Sequence, residues 1–106
     1  MAFKCVVAMV KPNLTDGVVD AAKRAGATGA TVMPASGTGV HEAGSFFGLT
    51  LDTRTDILVF LLSEDAVAPV LDAVEKAGYF SEPGTGIAFV VPVDGVAGLE
   101  SQLKGE

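Results

Sequence analysis

Hydrophobic residues along the chain gather into short continuous runs, separated by stretches in which they recur every three or four positions. Phe3 to Val10, FKCVVAMV, is the first continuous run. Its length and β-rich content predict a strand buried on both faces. Lys11-Pro12 ends it, and Asn13 or Thr15 is placed to cap a following helix, with Asp16 in the favourable first turn. Leu14, Val18, Ala22 and Ala25 give that helix one apolar face, and Gly26 stops it in the left-handed cap position. Gly29 to Ala35 reads as a second strand, Ser36 to Ser45 as a glycine-rich loop, and the alternation of Phe47, Leu49 and Leu51 as an extended arm. Asp56 to Leu62 is the strongest buried-strand pattern.

A second helix starts near Ser63-Glu64-Asp65 and carries Val67, Val70, Leu71, Val74 and Ala77 on one face. Proline is comfortable only in a helix's first turn, so Pro69 favours Asp65 over Ser63 as the cap and predicts a distortion there. Gly78 closes this helix. Ile87 to Val91 is a last strand, and Pro92 makes it an edge strand or ends it. The final dozen residues fit one short helical turn.

The pattern repeats. Asp20-Ala-Ala-Lys-Arg-Ala-Gly26 resembles Asp72-Ala-Val-Glu-Lys-Ala-Gly78, and each copy is followed by Thr-Gly and a strand. Two strand-helix-strand halves predict an α+β, ferredoxin-like βαββαβ antiparallel sheet with both helices on one face. Nothing divides residues 1–106, so the expectation is a single domain of 106 residues. The helix-free sheet face is then apolar, and another copy of the chain is the simplest cover. A hydrophobic content of 49% with few aromatics agrees with an oligomer.

Charge narrows the partners. A formal net charge of −6 argues against nucleic acid, which needs clustered Lys and Arg. No apolar run reaches the roughly 18 residues of a membrane span, and no signal-peptide pattern opens the chain, so the reading is cytoplasmic and not a membrane protein. The single cysteine, Cys5, falls in an apolar strand and reads as a core residue. Cys5 and His41 alone cannot complete a metal site within one chain, and no catalytic triad pattern accompanies His41 and Glu42, so neither a metal nor an enzyme is expected. His41 is assigned to ligand contact.

Two Gly-Thr-Gly triplets remain, in SGTGVH at Ser36 to His41 and in SEPGTGIAFVVP at Ser81 to Pro92. Glycine lets backbone N–H groups approach an anion, and threonine adds a hydroxyl. Neither triplet is a phosphate-binding Walker sequence. Each alone reads as a tight turn. Two of them converging on one cleft would make a small-ligand pocket.

The order of these motifs resembles the PII signalling family, GlnB-like proteins, from about residue 3 to residue 97. The marks are Lys11-Pro12 after the first strand, Thr28-Gly29-Ala30-Thr31-Val32 on the second, Ser36-Gly37-Thr38-Gly39 at the base of the long loop, and Gly84-Thr85-Gly86-Ile87-Ala88-Phe89-Val90 before the last strand. The resemblance implies a homotrimer that binds ADP, ATP or AMP in clefts between subunits and regulates a transporter or enzyme partner in nitrogen signalling. It places Ala30, Thr31, Gly37, Thr38, Gly39, Gly84, Thr85 and Gly86 at that cleft. The 40–53 loop would touch the partner, with Phe46 and Phe47 as contacts. Four basic positions of the family are Val40, Ile87, Gly98 and Glu100 here, which shifts the expectation toward ligands of lower charge or a small anion. The competing reading is a CutA-like or structural trimer without nucleotide binding.

Overall fold

The computed structural model describes residues 2–36 and 54–99. Among them, one antiparallel sheet holds β1 (Phe3–Val10), β2 (Thr31–Ala35), β3 (Thr55–Ser63) and β4 (Ile87–Pro92) in the order β2-β3-β1-β4. Two helices, α1 (Thr15–Arg24) and α2 (Glu64–Ala77), follow β1 and β3. This is the expected α+β, ferredoxin-like sheet with its two helices. The expectations for the 37–53 loop and arm, and for the chain after residue 99, lie outside the described residues.

Register decides which face each side chain serves. Val6 pairs with Phe60 and Val90, and Ala8 with Leu58 and Ala88, so these residues share one face. Val6, Ala8, Val10, Leu58, Phe60 and Leu62 are all buried there, under Val18 and Ala22 of α1 and Val70 and Val74 of α2. Each large side chain so buried contributes roughly 1.5–3 kcal/mol. The alternate residues, from Cys5 to Ile87, carry no helix. Met33, Leu61, Phe89 and Val91 keep 43%, 41%, 40% and 39% of their surface exposed within one chain, on a face they share with Val7, Met9, Ile57, Val59 and Ile87 among others. Cys5 is half-buried on this open face and not in the core.

The helix starts differ from expectation. A 3-10 turn at Pro12–Leu14 precedes α1, whose N-cap is Leu14, with no side-chain cap from Asn13 or Thr15. The Thr15 hydroxyl instead donates to Asp56 Oδ2 at 2.6 Å, joining the helix start to β3. In α2 the cap is Ser63, not Asp65. The reason is tertiary: β3 runs to Ser63, which pairs with Phe3, and the Glu64 N–H donates to the Ala2 carbonyl at 3.1 Å. Pro69 therefore sits inside α2 and removes the bond to the Asp65 carbonyl. Both residues are exposed, so water can take that carbonyl.

Both helices end in the paired hydrogen bonds of a Schellman cap. In α1, Gly26 has φ 128° and donates to Lys23, while Ala27 donates to Ala22. In α2 the left-handed residue is Tyr79, at φ 58°, donating to Lys76, while Phe80 donates to Glu75. Gly78, the repeat counterpart of Gly26, stays right-handed at φ −88°.

Candidate functional site

The sheet order fixes where the site elements lie. β1 and β2 end, and β3 and β4 begin, at one end of the sheet, since Val10 pairs with Asp56, Ala35 with Thr55 and Met9 with Ile87. The root of the 37–53 segment, the Lys11-Pro12 turn and the Gly84–Gly86 loop all emerge there. They emerge in a row. β2 and β4 are the two edges, three strand spacings apart, about 14 Å.

The Gly84–Gly86 loop is built from the helix end upward. After the Tyr79 cap, Glu82 N–H donates to the Tyr79 carbonyl at 3.0 Å. The Thr85 hydroxyl lies 2.5 Å from that same carbonyl and 2.9 Å from the Glu82 carbonyl. Its single proton is directed at these carbonyls, and its lone pairs remain open to accept. Gly84 takes φ 80°, a turn conformation that L side chains rarely adopt. Gly86 is glycine for a different reason. A Cβ there would meet the Phe80 ring and stand 2.5 Å from the Met9 carbonyl oxygen. Gly78 faces the same ring, with Phe80 Cδ1 2.8 Å from a Cβ built on it. Phe80 is thus seated between two glycines, beside the end of β1. Sequence reasoning missed it, although an aromatic two residues after one glycine and six before another was the available signal.

At the other edge, Thr31 opens β2 opposite Val59 and is exposed, while Ala30 packs partly on the core. Thr31 stands about 13 Å from Ala35 along the strand. Within one chain, then, the described site residues form two groups, Ala30 and Thr31 at one edge and Gly84, Thr85 and Gly86 at the other. Gly37, Thr38, Gly39, His41, Phe46 and Phe47 lie outside the described residues.

Charge at this end of the sheet is uneven. An open groove of about 570 Å³ under α1 is lined by Pro12, Thr15, Val19, Val32 and three carboxylates, Asp16, Asp20 and Asp56. It repels anions. Lys11 and Arg54 stand outside that lining, at the ends of the two central strands, and both are exposed. Ile87 is half-buried and pairs with Met9 on the open face, so no cation enters from there.

The profile of the family described as Nitrogen regulatory protein P-II matches residues 3–102. The chain belongs to the P-II family. A GlnB-like relative from Methanococcus maripaludis, named for the nifHD nitrogen-fixation region, is 30% identical over 93 residues, covering 87% of this chain and 89% of its own. The PII of Arabidopsis thaliana, solved with citrate bound, superposes with a TM-score of 0.73 at 25% identity, over 94% of this chain and 85% of that one. The CPII protein of Thiomonas intermedia K12, solved with ADP, AMP and acetate, gives a TM-score of 0.67 at 22% identity over 87% and 86%. The P-II chain described here is therefore a signalling-family protein on the family's fold. No helix among its described residues is long and apolar enough to cross a membrane.

Proposed function

We propose that this P-II protein is a cytoplasmic homotrimer, a regulator and not an enzyme, that binds an adenine nucleotide between its subunits. The observation that carries the reading is the strand order. The roots of the two Gly-Thr-Gly segments leave the same end of the sheet at opposite edges, which suits a meeting where the β2 edge of one copy approaches the β4 edge of the next. Such a heterologous contact repeats head to tail and closes into a ring when its rotation allows. A ring with the open faces inward buries Met33, Leu61, Phe89 and Val91, which one chain leaves in water.

The cleft would be lined by Ala30, Thr31, Gly37, Thr38, Gly39 and His41 of one copy and Gly84, Thr85 and Gly86 of another. Phe46 and Phe47 of the 40–53 loop would touch a transporter or enzyme partner. The ADP and AMP bound to the Thiomonas protein support the ligand class. Isothermal titration of the purified assembly with ATP, ADP and AMP tests the reading, with its mass measured by light scattering. Heat of binding from a three-chain assembly is expected. Silence at millimolar ligand from an intact trimer favours the second reading, a structural trimer whose cleft lost its nucleotide with the cations at positions 40, 87, 98 and 100. A monomer overturns both.

A further inference from the structure

We propose that Lys11 of one subunit and Arg54 of the next supply the positive charge that holds the phosphates of a nucleoside di- or triphosphate in the cleft between them. This inference rests on the between-subunit reading above and adds a residue assignment to it.

The geometry comes from the strand ends. Met9 pairs with Ile87, so Lys11 extends β1 alongside Thr85, one strand in from the β4 edge. The closeness is real in three dimensions, because a Cβ at Gly86 would stand 2.5 Å from the Met9 carbonyl. Ala35 pairs with Thr55, so Arg54 lies alongside Ser36, one strand in from the β2 edge. One strand spacing is about 5 Å. Among the described cations, Lys11 therefore stands nearest the β4 side of the cleft and Arg54 nearest the β2 side, and because Val10 pairs with Asp56 the two also stand on neighbouring central strands of one chain. Both side chains are long and exposed.

The other described cations are placed differently. Lys76 is held by Asp72 at 3.0 Å, and Lys4, Lys23 and Arg24 lie toward the opposite end of the sheet, at the start of β1 and the end of α1. Neither Lys11 nor Arg54 makes an ion pair among the described residues. The nearby carboxylate on β3, Asp56, is hydrogen-bonded to Thr15. The loop itself offers no hydroxyl proton, since Thr85 spends its own on Tyr79 and Glu82. A phosphate at this loop would meet backbone N–H groups but no free hydroxyl, and Lys11 and Arg54 are the described cations whose strand ends lie beside it.

The test is isothermal titration of the wild-type assembly and of Lys11→Ala, Arg54→Ala, Lys11→Arg and Arg54→Lys, each against ADP and against adenosine, with light scattering to check assembly. A charged hydrogen bond corresponds to about a ten- to hundredfold change in affinity. The expected result is a loss of about tenfold or more for ADP in each alanine variant, unchanged adenosine binding, and recovery in the conservative variants. Assemblies refolded from a mixture of Lys11→Ala and Arg54→Ala chains should regain wild-type ADP affinity at a fraction of their sites, because some clefts then contain both cations. ADP affinity unchanged in both alanine variants overturns the assignment while leaving the nucleotide reading intact. Tenfold losses with no recovery in the mixed assemblies overturn the placement of the two cations on different subunits. No ADP binding by the wild type removes the nucleotide reading and this inference together.

Discussion

Replacing Gly86 with alanine asks whether the second Gly-Thr-Gly is shaped by the fold or by a ligand. The added Cβ would press on the Phe80 ring and lie 2.5 Å from the Met9 carbonyl oxygen. The ring can swing; the carbonyl belongs to the central strand and cannot move without disturbing its ladders with β3 and β4. Overpacking of this kind costs about 1–3 kcal/mol, and with one rigid neighbour the upper end, about 3 kcal/mol, is expected. At Gly78 the same ring is the main obstacle, with the Val74 carbonyl at a looser 3.0 Å, so Gly78→Ala should cost less, about 1–2 kcal/mol. Shortening the ring with Phe80→Leu separates the two cases. Combined with Gly78→Ala it should recover about 1 kcal/mol relative to the sum of the single changes. Combined with Gly86→Ala it should recover less, because the Met9 oxygen remains. Urea unfolding followed by far-ultraviolet circular dichroism, at one fixed protomer concentration and without nucleotide, measures the wild type, the three single variants and the two double variants. A Gly86→Ala protein within about 0.5 kcal/mol of wild type would refute the packing account and return the glycine to a ligand role.

Three further outcomes follow from the structure. Tyr79→Gly relieves a left-handed residue at a cost to unfolded-chain entropy, so a net gain of up to about 1 kcal/mol is expected in urea; a loss would mean the side chain contributes more than its strain. Thr15→Val strands the Asp56 carboxylate and should cost about 1–2 kcal/mol, while Thr15→Ser keeps the hydrogen bond and most of the stability in the same assay. Leu61→Asp and Phe89→Asp place a charge on the open sheet face without entering the core, so the chain should stay folded by circular dichroism while its mass by light scattering falls to one chain; an unchanged mass would show that copies do not cover this face.

Much of the fold was legible because local patterns and tertiary burial agree. The β1 and β3 runs are apolar at every position between their termini except Lys4 and Asp56, which fits strands packed on both faces, and the α1 and α2 periodicities matched the residues that became buried, Val18, Ala22, Val70 and Val74. Legibility failed where a distant segment decided a local choice. Ser63 takes the N-cap position of α2 because Ala2, 62 positions before Glu64, accepts the Glu64 N–H, which outweighs the preference that Pro69 expresses. The repeat made Gly78 look like a second Gly26. Yet α2 runs one residue further in repeat register, and the left-handed turn falls on Tyr79 while Gly78 makes room for Phe80.

The candidate site divides the same way. The order of the runs was enough to read a βαββαβ chain with one glycine triplet after β2 and another before β4, because these are properties of order and identity. Tertiary structure alone decided what the triplet at Gly84–Gly86 is for within the chain. It bound the Thr85 hydroxyl to two carbonyls and wedged Gly86 against Phe80 and Met9. It also set the strand order β2-β3-β1-β4, which holds the roots of the two loops at opposite edges. Strand pairing depends on which apolar faces can be buried together, a property of the whole sheet, so no single stretch of sequence carried it.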